Sequence, residues 1–375
     1  MNQPVDILGL SFSAFMDQSG LGAGKAANLR AVYAAALREG RWEPAPFLSR
    51  IDAEGLTPCF QAGLPEVVRV VSEDGDFGPT SKAVLAFADG NTVECVLIPS
   101  PGGKASLCVS CQVGCRMGCA FCETGRAGLT RSLAAAEIIA QVVTARVTLG
   151  WNFKNIVFMG MGEPLDNFDG VAGALAVLFD QAGLGLAQER VTICTVGLPE
   201  GIARLRDLGY RRLGLSISLN APDDQIRSAL MPVNRAFGTD ALAAVLSEFP
   251  TRRNFALGVN YCLIPGANDG PGAAEGVAAF VARVGRALVN VIPYNPGSEP
   301  ISRAPTESEI GAFVLSLRAL GLDARVRAPR GRALMAACGQ LGGRLPATDP
   351  LFHHALDIGA VVLDDGVVGA VKERA

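Results

Sequence analysis

Cys115-Arg116-Met117-Gly118-Cys119-Ala120-Phe121-Cys122 decides how this chain is read. Three thiols at C-x₃-C-x₂-C spacing, with an aromatic residue before the last, can hold three irons of a 4Fe-4S cluster. The fourth iron then stays open to an outside ligand. A cluster held by four cysteines passes electrons, whereas one with an open iron can bind and cleave a small molecule. The wider run Cys108-x₂-Cys111-x₇-Cys119-x₂-Cys122 also fits two zinc-binding knuckles, although the connecting loop is then short and Cys115 idle. Disulfides fit less well. Five of the ten cysteines crowd between Cys108 and Cys122, which points to metal or redox chemistry in a reducing compartment.

The 375 residues are 49% hydrophobic, ample for a catalytic domain with one accessory domain. The start, MNQPVDILGL, has no basic stretch followed by a long apolar one, so no secretory signal is expected. Apolar runs elsewhere are shorter than a bilayer needs. A cytoplasmic protein without a membrane partner is the expectation, and nothing in the sequence sets its oligomeric state. A net charge of −3 is awkward for a chain that meets nucleic acid, because phosphate contacts need cations. Local clusters count for more, and the segment from Asp323 to Arg344 sets Arg325, Arg327, Arg330, Arg332 and Arg344 against one acid.

From about Lys104 onward, apolar runs alternate with helical periodicity. Strands are predicted at Ala105–Val109, Asn155–Met161, Arg190–Val196, Arg212–Leu219, Phe255–Ile264, Leu288–Tyr294 and Asp323–Arg327. Helices are predicted at Leu133–Leu149 (opening after Ser132 as N-cap), Asp169–Ala182, Glu200–Leu208, Pro222–Leu230, Ala273–Val284 and Glu307–Leu320. Such alternation reads as an α/β fold with a parallel sheet, open or closed into a barrel. The first hundred residues differ: 6–63 look helical, and 66–99 look like short strands with an Asp89-Gly90 hairpin signal. The expected organisation is an N-terminal accessory α+β domain over 1–101, a catalytic domain over 102–345 and an extension over 346–375. The only histidines, His353 and His354, fall in that extension and read as surface residues.

The placement of the unusual residues is a second argument. Chemistry in parallel α/β folds sits at the carboxyl ends of strands, where the loops converge. The cysteine motif follows the first of these strands, and Gly160-Met161-Gly162-Glu163-Pro164 ends the second. Cys194-Thr195 ends the third, Ser218-Leu219-Asn220 the fourth, Asn295-Pro296 follows the sixth, and Cys338 follows the last. One pocket is implied. Blander readings stand beside it: turn glycines, Glu163 capping the next helix, Ser218 and Asn220 capping the helix after Pro222, and Cys338 as a small buried hydrophobe.

With these residues the chain resembles radical S-adenosylmethionine (SAM) enzymes, and among them the RlmN/Cfr family of adenine-carbon RNA methyltransferases. The matches are Cys108–Cys115, the cysteine motif, Gly160–Pro164, Ser-Leu-Asn-Ala-Pro at 218–222, Asn268-Asp269, Asn295-Pro296 and Ala336–Leu341. The resemblance implies a partial (βα)6-type, TIM-like radical SAM barrel with a small N-terminal α+β domain. It implies a 4Fe-4S cluster on Cys115, Cys119 and Cys122, with SAM on the fourth iron and a 5′-deoxyadenosyl radical after reduction. SAM contacts carried over by position are Gly162, Glu163, Cys194, Ser218, Leu219, Asn220 and Asn295. Two SAM molecules per turnover are implied: one methylates Cys338, the other generates the radical that takes hydrogen from that S-methyl group. Cys108 then resolves the covalent RNA adduct as a disulfide with Cys338, and Glu94 stands at the position of the proton acceptor, although it also reads as a surface strand carboxylate. The implied substrate is adenine C2 in 23S ribosomal RNA, with transfer RNA as a second target and a flavodoxin-type electron donor. Departures from the family pattern are Cys194 for a serine, Asn220 for a histidine, Cys111 for a serine, and Gly331-Arg332-Ala333 where an Asp-Ile pair is usual after the glycine. Alternatives are C8 methylation, the same radical chemistry on a non-ribosomal substrate, and a zinc-bearing RNA-binding module.

Overall fold

The computed structural model describes residues 4–249, 257–342, 360–363 and 367–370. His353, His354, Arg344 and the first residues of the strand predicted at Phe255–Ile264 lie outside them, as does most of the 346–375 extension.

The N-terminal segment opens with β1 (Val5–Asp6), continues through the helices α1 (Phe12–Ser19), α2 (Ala26–Glu39) and α3 (Arg50–Leu56), and returns as β2 (Phe60–Gln61), which pairs with β1 in parallel. α1 starts where Ser11 accepts a hydrogen bond from Ala14 N, and stops at Gly20 in the left-handed region (φ 66°). Three antiparallel strands follow, β3 (Glu66–Glu73), β4 (Thr80–Ala86) and β5 (Thr92–Ser100), with the Asp89-Gly90 turn between the last two. The turn is built as its sequence predicts, since Asn91 N donates to Asp89 Oδ1 and Gly90 takes φ 82°.

The second half is an open βα barrel. β6 (Lys104–Cys108) leads through a small hairpin, β7 (Gln112–Gly114), α4 (Glu123–Ala127) and β8 (Leu129–Ser132), to helix α5 (Ala135–Val147). Then come β9 (Asn155–Phe158), α6 (Phe168–Phe179), β10 (Val191–Thr195), α7 (Pro199–Asp207), β11 (Gly214–Ser218), α8 (Asp224–Leu230), α9 (Thr239–Ser247), β12 (Leu257–Leu263), α10 (Ala273–Val284), β13 (Ala287–Pro293), α11 (Glu307–Ala319) and β14 (Asp323–Val326). A short antiparallel pair, β15 (Ala360–Leu363) and β16 (Val367–Ala370), ends the described chain. β6, β9, β10, β11, β12, β13 and β14 are mutually parallel neighbours, the partial (βα)6 arrangement that the family resemblance implies.

The sheet does not stop at the expected domain boundary. β5 pairs antiparallel with β6 (Val96 opposite Cys108), so β3, β4 and β5 extend the barrel sheet to ten strands. Residue 101 lies in the turn between those two paired strands. One hydrophobic core also joins Ile7, Phe15, Tyr33 and Phe60 of the N-terminal segment to Ile138, Val142 and Leu178 of the barrel helices. The helices bury one stripe each. α10 hides Ala274, Val277, Phe280, Val281 and Val284, a 3.6-residue period against the sheet.

Two details depart from the sequence reading. Ser132 is not the N-cap of α5, because it lies in β8 and pairs with Gln112; the helix starts two residues later, where Glu137 Oε2 accepts from Ala134 N. The cap of α8 is Asp223, accepting from Ile226 N, and not Ser218 or Asn220.

Candidate functional site

The carboxyl ends of the parallel strands surround a cavity lined by Cys115, Cys119, Cys122, Gly162, Glu163, Cys194, Ser218, Asn220 and Cys338. Nine sequence-predicted residues therefore meet at one place. The loop that carries the three motif thiols leaves β7 through Gly114 and is tied back by Cys115 N donating to the Gly128 carbonyl (2.8 Å) and Cys122 N donating to Cys119 O (3.1 Å). Burial pushes the Cys115 thiol up to about 12 and raises those of Cys119 and Cys122 as well, with neighbouring thiols adding to the penalty at Cys115 and Cys119. Soft donors that resist ionising alone, gathered on one cavity wall, suit a cationic iron–sulfur group that stabilises thiolates. That chemistry and the shared wall are why these residues fit a 4Fe-4S cluster. The zinc reading needs Cys108 and Cys111 beside Cys119 and Cys122. Instead Cys108 lines a second cavity, and Cys111 Sγ turns to the Met161 carbonyl at 3.6 Å.

The glycines of the loop after β9 are there for close approach. A Cβ on Gly160 would lie 2.6 Å from the Val109 carbonyl, and one on Gly162 (φ 100°) would meet Gln112 at 2.6 Å. Glu163 is 3% exposed. Its Oε1 accepts from Leu165 N (3.0 Å) and its Oε2 from Val196 N (2.9 Å), so it staples the end of β9 to the end of β10 while facing the cavity. Burial pushes this carboxyl up to about 7, against the hydrogen bonds that favour its anion. A ligand ammonium in the cavity would hold it ionised.

Asn220 sits in the left-handed region (φ 59°), where asparagine is tolerated better than most residues. Its Oδ1 accepts from Cys262 N (2.9 Å) and its carbonyl accepts from Asn268 Nδ2 (2.6 Å), which explains the Asn268-Asp269 motif as a brace for this turn. Two residues expected at the cofactor, Leu219 and Asn295, are not among those lining the first cavity. Leu219 is fully buried, and Asn295 reaches the site through the Cys338 carbonyl, to which its Nδ2 donates (3.3 Å), while its Oδ1 accepts from Arg332 Nε (3.0 Å).

Cys338 belongs to the wall of both cavities. The second is lined by Cys108, Ser106, Asn155, Arg190, Arg327 and the 336–341 loop, among others. Cys338 is exposed and so is not the small buried hydrophobe of the blander reading; the walls around its thiol raise it by desolvation, and Arg327 opposes that shift. Burial also raises Cys108 well above an ordinary thiol, with the charge of Cys338 as the next cause, so the two sulfurs sense each other. Glu94 lies outside both linings. Its Oε1 pairs with Lys82 Nζ (3.0 Å) and its Oε2 accepts from Gly342 N (3.0 Å), so it is a buried, engaged carboxylate and not the surface one of the blander reading.

Sequence reasoning missed several participants. Arg227, 1% exposed, donates from Nε to the Leu219 carbonyl (3.0 Å) and from Nη2 to those of Val196 (2.6 Å) and Ser218 (3.2 Å). It thereby straps two strand-end loops together, next to Cys119, and burial pushes its pKa down to about 10. Cys262 and Asn260 also line the first cavity. Their signal was available, since both lie on the inward alternation of a predicted strand. Of the arginine-rich segment, Arg325 pairs with Asp323 (3.6 Å), Arg330 stacks over Phe77 (4.8 Å to the ring centre), and Arg327 faces the second cavity. No helix among the described residues is long and apolar enough to cross a membrane.

The Radical SAM superfamily model matches residues 109–271. The chain is 39% identical over 303 residues to a protein of Protochlamydia amoebophila (strain UWE25) named probable dual-specificity RNA methyltransferase RlmN 1, covering 78% of this chain and 84% of that one. It is 38% identical over 318 residues to the dual-specificity RNA methyltransferase RlmN of Syntrophotalea carbinolica, covering 83% and 84%. Among solved structures, a radical SAM methyltransferase from Sphaerobacter thermophilus superposes with a TM-score of 0.81 at 33% identity, over 90% of this chain and 99% of that one.

Proposed function

This chain belongs to the RlmN family of radical SAM RNA methyltransferases, and we propose that it methylates C2 of an adenine in 23S ribosomal RNA, and an adenine of transfer RNA, with Cys338 as methyl carrier. One observation carries the reading: Cys338 forms part of the wall of two cavities, one bearing the three motif thiols and the other bearing Cys108. The dual specificity in the relatives' names supports two RNA substrates.

Cys115, Cys119 and Cys122 would hold the cluster, and Gly162, Glu163, Cys194, Ser218 and Asn220 would surround SAM, with Leu219 and Asn295 shaping that wall from behind. When bound, the cluster supplies the electron that cleaves one SAM to a carbon radical, and a second SAM supplies the methyl group. Cys338 carries the one-carbon unit as a thioether. Glu94, positioned by Lys82 and the Gly342 amide, takes the proton from the adenine carbon. Cys108 loses its proton and attacks the sulfur of Cys338, so that an S–S bond forms as the sulfur–carbon bond breaks. The freed carbon takes up a proton to become methyl, the odd electron left by radical addition passes back to the one-electron donor, and the methylated base leaves. The reaction is assigned to the cytoplasm, with a flavodoxin-type donor as electron source.

The test is incubation of anaerobically reconstituted protein with SAM, reductant and either 23S ribosomal RNA or transfer RNA, followed by mass spectrometry of nucleosides. 2-Methyladenosine in both is expected. 8-Methyladenosine would transfer the reading to C8, and unmodified adenosine in both RNAs would overturn it.

A further inference from the structure

Lys82 links the proposed proton acceptor to the loop that carries Cys338. It lies mid-strand in β4, is 6% exposed, and has two partners: Glu94 Oε1 at 3.0 Å and the Met335 carbonyl at 3.1 Å. Glu94, in turn, receives the Gly342 amide at 3.0 Å. The Lys82–Glu94 pair thus grips the 331–342 loop on both sides of Cys338, three residues after Met335 and four before Gly342. Between those grips the loop is not a regular element. Gly331 (φ 68°) and Met335 (φ 50°) are both left-handed, and Ala336 N donates to the Gly331 carbonyl at 2.8 Å. A non-glycine residue in that region is strained and persists only where its surroundings hold it. A buried ion pair is a poor source of stability, because desolvation offsets most of the attraction. Geometry is the better account of why it is here.

We infer that Lys82 is a positioning residue, whose ammonium fixes the Glu94 carboxylate and the Cys338 loop in one register by bridging Glu94 to the Met335 carbonyl. This rests on the proposed roles of Cys338 and Glu94. Lys82 touches no reacting atom. It acts by making the proton acceptor and the methyl carrier a single rigid unit, anchored on the N-terminal strands and not on the barrel.

The test compares Lys82→Met and Lys82→Arg in the reconstituted full-length enzyme, reading RNA methylation and amide hydrogen exchange across 331–342. Lys82→Met is expected to slow methylation about a hundredfold, the scale of a misplaced general base, and to speed exchange in the loop. Lys82→Arg, which keeps the cation and its reach, is expected to recover most of both. A parental rate or parental exchange in Lys82→Met, or no recovery in Lys82→Arg, overturns the inference. Because Lys82→Met leaves a buried carboxylate unpaired, the double variant Lys82→Met/Glu94→Gln keeps the test open if the single one misfolds: its loop should still exchange fast, and parental protection there overturns the tether. Glu94→Gln and Cys338→Ala separate the premise. If both methylate RNA normally, the roles given to those residues fall; if both are inactive while Lys82→Met is normal, only the inference about Lys82 falls.

Discussion

Glu163 has its carboxylate under cover and pushed up to about 7 from an ordinary 4.5, burial being the cause. Between those two values the folded chain holds a proton that the unfolded chain releases. Stability from this group is therefore greatest below pH 4.5 and declines as pH rises to 7, by up to about 3 kcal/mol. Urea unfolding of parent and Glu163→Gln should show a difference that moves in the variant's favour from pH 4.5 to 7 and is level beyond 8; a difference constant with pH would refute the raised carboxyl. The thiols give a kinetic prediction. Cys338→Ala should abolish RNA methylation while SAM cleavage persists, and Cys108→Ala should leave protein joined to RNA, seen as a band shift on denaturing gels. Free methylated product from Cys108→Ala would remove its resolving role. Residues with unusual chemistry, the cysteines and Glu163, were legible in the sequence because their type and strand-end position are informative together. Arg227 and Lys82 were not, because a lone cation carries no mark of burial, and only the fold shows that its partners are backbone carbonyls and a carboxylate.

At the scale of elements, all seven parallel strands were legible from their apolar runs, since a strand covered on both faces needs little else. α9 was not predicted: Thr239–Ser247 is short and follows a turn-rich stretch, and no sequence signal separated it from the loop after α8. Helix starts were read less well than helix bodies, because capping depends on which side chain reaches a free amide. Asp223 does so where Ser218 and Asn220 do not. The β7–β8 hairpin, which launches the cysteine loop, went unread because β7 has only three residues. It depends on Gly114, whose φ of 78° is left-handed and whose added Cβ would fall 1.8 Å from the Gly128 carbonyl. That carbonyl is the acceptor for Cys115 N. Gly114→Ala should cost about 2–4 kcal/mol and displace the first cysteine of the motif. A lowered melting temperature and less iron bound after reconstitution are expected, and iron content equal to the parent's would contradict this role for the hairpin.

For the whole molecule, the question is whether the first 101 residues form a unit of their own. Composition suggests a boundary there, because helix-rich and hairpin-rich sequence gives way to βα alternation. Hydrogen bonding runs across it: Val96, Leu97, Ile98, Pro99 and Ser100 of β5 pair with Cys108 through Lys104 of β6, and the clamp on the Cys338 loop comes from β4 and β5. Removing 1–101 would strip β6 of one neighbour and leave an edge of unpaired amides and carbonyls. It would also uncover Ile138, Val142 and Leu178, now packed in one core with Ile7, Phe15 and Tyr33. We therefore expect the N-terminal segment and the barrel to unfold as one cooperative body, although they read as two in sequence. A chain beginning at residue 102 should aggregate on expression, and the full chain should melt in a single calorimetric transition whose calorimetric and van't Hoff enthalpies agree. A soluble, monomeric 102–375 fragment that takes up iron and protects its Cys338 loop from exchange would show the opposite, that the barrel holds this loop without help from the strands beside it.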